Sequence, residues 1–347
     1  MCMDARAARW KYARVKGMLK LRPFHPAMIP FTYSRPDTLR DATQRLARAG
    51  ARPLGGGTDL LVTLEEGIEQ ADELVDLRRV SGARVIARSA AGGLRIGAAA
   101  RLAEIAGHAD VRAHFPALAE SCAAVGTSAL RHMGTLGGNL LQRPRCWYLR
   151  SGIACLKSGG TTCPASDGES RYLAILGGGP CFVVHASDPA VALTALDAEL
   201  ELASAAGTRR VRIAEFYTLP KDGVTRESVL EPGEIVAAVE IPAAGADGWQ
   251  RYEKCMQRGA WDFALTSLAA CRRTDGEVRL VLGGVAPRPW RIDHSVEQDI
   301  ASGGLAPEDV ATLADRALYD ARPLRDNAYK LALAADLLRR AMIAMSN

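Results

Sequence analysis

"PLGGGTDLL", residues 53–61, places three consecutive glycines and a threonine between a predicted helix and an apolar run. Because glycine has no Cβ, the backbone can approach a ligand closely and present N–H groups to a phosphate. A second stretch of this kind, "GTLGGNL", spans residues 134–140. One such loop is often only a turn, whereas two can hold a dinucleotide pyrophosphate from both sides. Neither loop fits the nicotinamide G-x-G-x-x-G fingerprint or the P-loop pattern, so those two kinds of nucleotide site are disfavoured.

The composition excludes several classes of protein. The chain has 347 residues, 48% apolar and 24% charged, which is ordinary for a soluble globular protein and disfavours disorder. Its net charge of +5 is not gathered into blocks, so nucleic acid is not an expected partner. No apolar run reaches the roughly 18 residues that a membrane span requires. Residues 1–27 are basic but lack the apolar core of a secretory signal, and we predict an N-terminal extension, either disordered or read from an upstream start codon.

Hydrophobic patterns then predict three folded regions, the first at residues 28–82. A helix over "PDTLRDATQRLARAG" is opened by Pro36 and Asp37 and stopped by Gly50. The glycine-rich stretch follows, and "ELVDL" is typical of a buried strand. This alternation of short strands and helices indicates an α/β or α+β region.

The second region, residues 83–245, continues the alternation of strands and helices. It includes a strand over "CFVV", a helix that starts near Asp188 and a strand at Ile235–Ile241. From about Trp249 the pattern changes to a long helical stretch, a strand over "EVRLVLGGV" and a terminal helix. Residues 246–347 are therefore predicted to form a separate C-terminal domain.

Several stretches of the chain resemble a known protein family. They are the two glycine loops, "ASDPAVALTALDAELEL", and the C-terminal "EKCMQRGAWDFALTSLA" and "LGGVAPRPWR". Together they resemble the flavin-binding medium subunit of the xanthine dehydrogenase and aldehyde oxidoreductase family of molybdenum hydroxylases. The resemblance covers about residues 29–345. It implies an α+β fold, with a two-subdomain FAD-binding region of the PCMH/vanillyl-alcohol-oxidase type followed by a small α+β C-terminal domain.

The resemblance also implies which residues bind FAD. The first loop wraps the pyrophosphate, and the second adds contacts from the other side. Asp188 matches a family aspartate that helps to hold FAD, with a helix N-cap before Pro189 as the alternative. Lys254 matches a basic position near the flavin, where a cation can stabilise a reduced, anionic isoalloxazine. No catalytic residue is expected. The implied FAD-binding residues are Pro53, Leu54, Gly55, Gly56, Gly57, Thr58, Asp59, Leu60, Leu61, Thr135, Gly137, Gly138, Asn139, Asp188 and Lys254.

An insert at about residues 143–182 carries four cysteines. In a cytoplasmic protein such a set is more often a metal or redox site than a pair of disulfides. The spacing C-x8-C-x7-C-x17-C matches neither common ferredoxin pattern and lacks the C-x2-C pairs typical of zinc. Four thiolates suit either a [4Fe–4S] cluster or tetrahedral zinc, and either would order an insert too polar to form its own core. The candidate ligands are Cys146, Cys155, Cys163 and Cys181.

A second resemblance concerns this insert. "QRPRCWYLR", "CLK", "DGESRYLAI" and "GPC" resemble the insert of a branch that includes 4-hydroxybenzoyl-CoA reductase and three-subunit bacterial aldehyde oxidoreductases, and are closer to the latter. In that branch the cysteines bind an additional [4Fe–4S] cluster. The implied ligand here is such a cluster, as an electron port or as a structural staple, with zinc or free thiols as the alternatives.

The implied function is electron transfer. A large partner subunit with molybdopterin would oxidise an aldehyde or N-heterocycle. A small partner subunit with two [2Fe–2S] clusters would pass the electrons to FAD, and an external acceptor such as NAD, oxygen or ferredoxin would receive them. The expected location is cytoplasmic by default, or periplasmic by co-export with a partner that carries a signal.

Two other classes of function fit the sequence less well. A self-sufficient flavin oxidase of the vanillyl-alcohol-oxidase type would usually carry a substrate-capping domain larger than the C-terminal region 246–347. A structural subunit with zinc and no flavin would predict degraded glycine loops, and both loops are intact.

Overall fold

The computed structural model describes residues 29–303 and 306–346, so the extension predicted at residues 1–27 lies outside the described part. The chain folds around three β-sheets that follow one another along the sequence. In the two described ranges, no helix has the length and apolar character needed to cross a membrane.

The first sheet is parallel and delivers the first glycine loop. Its strand order is β1-β3-β2. The first helix begins after Thr38, whose hydroxyl accepts from the Asp41 N–H over 3.1 Å, and not at Pro36 and Asp37 as predicted. The elements are β1 Thr32–Ser34, α1 Leu39–Leu46, β2 Ala51–Leu54, α2 Leu60–Glu65 and β3 Glu73–Asp76.

The second sheet is antiparallel, with strand order β4-β5-β8-β6-β7. Its strand Ile235–Ile241 has the predicted bounds. The strands are β4 Ile86–Arg88, β5 Leu94–Gly97, β6 Glu199–Ser204, β7 Gly207–Arg212 and β8 Ile235–Ile241. The helices of this region are α3 Leu102–Gly107, α4 Ala109–His114, α5 Pro116–Ala123, α6 Ser128–Met133, α7 Leu136–Leu140, α8 Trp147–Arg150, α9 Asp188–Ala195 and α10 Ile213–Phe216.

Helix α9 lies at the centre of the molecule, and all eight of its residues are buried. It packs against the third sheet and against helix α5, and it belongs to one buried apolar cluster with Leu200 and Val239 of the second sheet and Ala269 and Val281 of the third. Its N-cap is Ser187, whose hydroxyl accepts from the Ala190 N–H over 3.1 Å. The side chain of Asp188 is therefore free for other contacts.

The third sheet corrects the C-terminal prediction. The long helix expected from Trp249 is wrong, because that stretch forms two antiparallel strands. A strand buried along its whole length, such as "TSLAAC", reads as a continuous apolar run that periodicity cannot separate from a helix. The strand order is β12-β11-β10-β9. The elements are β9 Trp249–Cys255, β10 Thr266–Arg272, β11 Val278–Gly283, β12 Trp290–Arg291, α11 His294–Ala301, α12 Pro307–Ala317 and α13 Tyr329–Ser346.

The strand predicted over "CFVV" is also wrong. This segment forms isolated backbone hydrogen bonds instead of a ladder. The Ala174 N–H donates to the Phe182 carbonyl over 2.9 Å, and the His185 N–H donates to the Ala286 carbonyl over 3.0 Å. An apolar run without a neighbouring strand in register therefore remains irregular.

The cysteine insert contains one helical turn, α8, and docks on the C-terminal domain. Lys330, only 1% exposed, donates to the carbonyls of Leu173 over 3.0 Å and Gly284 over 2.7 Å. The Asn327 side chain donates to the Leu173 carbonyl over 3.1 Å. Buried polar side chains thus satisfy backbone groups that no sheet or helix satisfies.

The buried amine predicts a specific pH dependence of stability. Burial lowers the pKa of Lys330 to about 7, whereas the pKa of a free lysine is about 10.4. Between these values the unfolded chain binds one more proton than the folded chain, so stability rises with pH in this window. We expect wild type to gain melting temperature relative to Lys330→Met as the pH rises from about 7 to about 10.

Thermal melts at stepped pH provide the measurement. Exposed Lys221 supplies the matched control, since Lys221→Met should track wild type at every pH. A difference between wild type and Lys330→Met that stays flat across the window would show that burial does not set this titration.

Candidate functional site

The two glycine loops meet backbone to backbone. A Cβ on Gly56 would lie 1.9 Å from the Met133 carbonyl oxygen, and one on Gly55 would lie 2.4 Å from the Thr135 hydroxyl oxygen. Gly57 has φ +74°, a conformation that glycine adopts without strain. Side chains at these positions would separate the loops, so the glycines are required for the approach itself.

A cleft of about 340 Å³ lies between the loops. All of the predicted FAD-binding residues except Leu54 and Leu61 line it. Leu54 packs into a small core with Leu64 and Leu74. Leu61 is 39% exposed. The structure therefore brings together loops that are some 80 residues apart in the chain, together with Asp188 and Lys254.

Several residues of the cleft were missed by sequence reasoning. Apolar positions from the second sheet, among them Ala98, Ile235 and Val236, form part of its wall. In the sequence they look like ordinary core residues, so no signal distinguishes them. Trp261 and Phe263 also line the cleft, and both are at least half exposed.

Asp188 and Lys254 form a buried ion pair at the cleft. The Lys254 amine donates to Oδ2 of Asp188 over 2.8 Å, and the Tyr252 hydroxyl donates to Oδ1 over 2.6 Å. Lys254 also donates to the Ala124 carbonyl over 3.0 Å. Burial raises the pKa of Asp188, and the adjacent Lys254 opposes that shift. The pair joins α9 to β9 and helix α5.

A second cavity, of about 480 Å³, adjoins the cleft between the insert and the C-terminal domain. Its walls include Trp147 and Tyr172 from the insert and Phe263 from the C-terminal domain. Arg145 lines both cavities and lies 5.0 Å from the Phe263 ring centroid. At its wall, burial lowers the pKa of His185 to about 3, so this imidazole is neutral.

The four cysteines of the insert border one narrow cavity. Cys146 caps α8, while Cys155 and Cys181 are buried. The Cys163 and Cys181 thiols interact, which lowers the pKa of Cys163 and raises the pKa of Cys181. Within residues 29–303 and 306–346, no three His, Cys, Asp or Glu side chains are arranged to hold a metal ion.

Comparison with known proteins decides the family. A model of the FAD-binding domain in molybdopterin dehydrogenase matches residues 29–244. The chain belongs to this FAD-binding family.

Relatives of this FAD-binding chain extend the match to nearly its whole length. The FAD-binding subunit PaoB of Escherichia coli K12 aldehyde oxidoreductase is 37% identical over 312 residues, 88% of this chain and 95% of the relative. The glyceraldehyde dehydrogenase medium chain of Sulfolobus acidocaldarius is 27% identical, over 86% and 90% of the two chains. A structure of carbon monoxide dehydrogenase from Hydrogenophaga pseudoflava superimposes with TM-score 0.71 at 22% identity, over 93% and 98%. That likeness confirms the predicted α+β fold.

The residues of the cleft fit the family's cofactor. The glycines let the two loops approach each other closely and line one cleft, and backbone N–H groups of such loops can hold a diphosphate. Asp188 and Lys254 line the same cleft, where Lys254 supplies a cation that Asp188 holds at 2.8 Å.

The loop contact predicts the effect of one methyl group. In Gly56→Ala the new Cβ meets backbone and not a flexible side chain, so the loops must separate. Overpacking of this kind costs about 1–3 kcal/mol. If this cost falls on the FAD-bound state, FAD affinity decreases by about 5- to 150-fold. FAD released per chain and fluorescence titration of the stripped protein measure the effect. Gly223→Ala, with nothing within 4 Å of its Cβ, should retain full FAD content.

The buried ion pair predicts a pH-dependent loss of stability. Lys254→Met leaves the Asp188 carboxylate buried without its cation, which costs about 3–5 kcal/mol. Burial already raises the pKa of Asp188. The folded protein therefore keeps the Asp188 proton at pH values where the unfolded chain has lost it, and stability falls as the pH rises through that range. We therefore expect a larger loss at pH 7 than at pH 5, measured by chemical denaturation.

A double variant serves as the control for this loss. Asp188→Asn combined with Lys254→Met contains no uncompensated charge, so it should be more stable than Lys254→Met alone at pH 7. Equal stability of wild type and Lys254→Met at pH 7 would contradict the proposed charge balance.

Proposed function

We propose that this chain is the FAD-carrying electron-transfer subunit of a molybdenum-dependent oxidoreductase of aldehydes or N-heterocycles. The observation that carries the proposal is the cleft between two facing glycine loops in a member of this FAD-binding family. The substrate class is supported by the two relatives, which are named as subunits of an aldehyde oxidoreductase and a glyceraldehyde dehydrogenase.

The chain's own residues would bind and orient the cofactor. FAD can accept electrons one at a time and deliver them in pairs. The amides of the two glycine loops would hold its pyrophosphate. Lys254, anchored by Asp188 at 2.8 Å, would place a fixed positive charge beside the ring system and favour its reduced, anionic form. The apolar wall of Ala98, Ile235 and Val236 would exclude water from the bound cofactor.

The electrons are proposed to enter from a partner subunit. A large subunit with molybdopterin would oxidise the substrate, and a small subunit with two [2Fe–2S] clusters would feed this chain. An external acceptor such as NAD, oxygen or ferredoxin would then receive the electrons. The names of the relatives, "subunit" and "medium chain", support a complex of several chains.

The cysteine quartet is proposed to bind an additional [4Fe–4S] cluster. Support comes from the donor set, since four thiols border one cavity and this cluster takes four thiolates. To ligate iron, all four thiols must lose their protons. The nearby Lys157 amine favours the charged form of Cys181. Structural zinc is the alternative ligand.

Replacement of one cysteine tests the cluster. Protein purified without air should contain FAD, acid-labile sulfide and about four irons per chain. Cys155→Ser should lose iron and sulfide while it retains FAD, because Cys155 lies in the insert and not among the cleft residues. Cys255→Ser, outside the cysteine cavity, provides the matched control and should keep all three.

The same measurements separate the alternatives. One zinc per chain without sulfide would make the quartet a structural site and leave FAD as the redox centre of this chain. Unchanged iron in Cys155→Ser would show that Cys155 is not a ligand. Wild-type protein that neither contains nor binds FAD would overturn the main proposal.

A further inference from the structure

Asp59, in the first glycine loop, is bound by the segment that opens the cysteine insert. Its Oδ1 accepts from Arg145 over 2.6 Å and from Arg150 over 2.9 Å. Its Oδ2 accepts from the backbone N–H of Arg143 over 2.8 Å. The Asp59 side chain is 14% exposed, so water competes poorly for these contacts. Charge-assisted hydrogen bonds of this length are the strong ones in proteins.

The side chain of Asp59 does not cap the helix that follows it. Asp59 precedes α2 as its N-cap residue, but its side chain makes no capping hydrogen bond. An N-cap aspartate ordinarily accepts from an N–H of the first helical turn. Here the carboxylate instead contacts residues 84 to 91 positions away in the sequence.

The two arginines that share Oδ1 flank a candidate cluster ligand. Arg145 directly precedes Cys146, and Arg150 ends the helical turn that Cys146 caps. Arg150 also donates to the carbonyls of Arg143 over 3.1 Å and Pro144 over 3.0 Å. One guanidinium therefore binds both Asp59 and the backbone that delivers Cys146.

The surrounding charges form one connected network of ion pairs. Arg143 pairs with Glu69 and Glu227, and Lys157 contacts Glu227 over 2.8 Å. Arg150 lies 3.8 Å from Glu66. Arg52 lies 3.8 Å from Glu69, so with Asp59 and Arg145 the network holds four carboxylates and five cations. The removal of Asp59 would therefore leave its arginines without their shared carboxylate.

We propose that Asp59 is a positioning residue that fixes the cysteine insert to the first glycine loop, and that it is not a ligand of FAD. The inference rests on the proposed roles of the two loops and the insert. Both oxygens of Asp59 are already engaged. A free carboxylate beside a diphosphate would repel it, whereas the arginines neutralise this corner of the cleft. The same contacts thus hold the insert and keep the loop compatible with an anionic ligand.

The test compares both sides of the contact in the full chain. The variants are Asp59→Asn, Arg150→Gln and their combination, with the exposed pair residue Glu199→Gln as the control. Thermolysin cleavage within residues 151–171 reports the docking of the insert, iron and sulfide report the cluster, and fluorescence titration reports FAD affinity.

We expect Asp59→Asn to speed cleavage of the insert about tenfold, because proteolysis follows the population of the opened segment. Iron content should fall at least about threefold. FAD affinity should change by less than about threefold, because Asp59 would not contact FAD directly. Arg150→Gln should show the same pattern. The double variant should be no worse than the more affected single variant, as expected for two groups that act through one contact.

A charge-conserving variant separates positioning from a merely structural effect. Asp59→Glu keeps the carboxylate and should recover at least about half of the iron lost in Asp59→Asn. Recovery no better than in Asp59→Asn would overturn the proposal. So would a loss of FAD affinity above about tenfold in Asp59→Asn with iron and cleavage unchanged, since that pattern belongs to a direct FAD ligand.

Failure of the proposed function would look different. If wild type contains FAD without iron, the cluster proposal fails, but thermolysin cleavage still decides whether Asp59 holds the insert. If Asp59→Asn does not fold, Arg150→Gln breaks the same contact with the loop unchanged and must give the faster cleavage. Wild-type cleavage rates in Arg150→Gln would overturn the proposal.

Discussion

The two glycine loops approach each other through their backbones, at a point where a Cβ on Gly56 would lie 1.9 Å from the Met133 carbonyl oxygen. The parallel sheet brings the first loop to this point. The second loop is tied to the segment after β5, where the Leu136 N–H donates to the Ala100 carbonyl over 2.9 Å and the Gly137 N–H donates to the Ala98 carbonyl over 2.8 Å. Main-chain contacts therefore fix the second loop at the wall of the cleft.

The cleft also depends on charges that the fold keeps out of water. Asp188 lies at the start of α9, a helix whose residues are all buried, and could not remain ionised there without Lys254 and Tyr252. The ion pair therefore has two consequences. It holds the C-terminal domain against the FAD-binding region, and it places a fixed cation at the cleft.

Local patterns predicted some of these features. The glycine loops and the strand Ile235–Ile241 could be identified because their signals lie within a few residues. The strand Thr266–Arg272 could not, since a strand buried on both faces loses the alternation that marks a strand. The residues of the cleft were predictable to the same extent, where their signal is local. The glycines were visible in the sequence, whereas the role of Ile235 in the cleft wall depends on tertiary contacts that no local pattern encodes.

The insert shows how a segment with little apolar surface is ordered. Its own buried cluster of Tyr148, Ala165 and Leu173 is too small to offset the entropy of about 40 ordered residues, and its Ile175 and Leu176 pack into the apolar cluster of the C-terminal domain. Hydrogen bonds from Lys330 and Asn327 hold its C-terminal half, and arginines bound to the first glycine loop hold its beginning. Between these anchors lie the four thiols. Under the proposed function, a ligand at the thiols would add its binding free energy to the folding of the insert. Because the insert is anchored to both the glycine loop and the C-terminal domain, that free energy would stabilise those contacts as well.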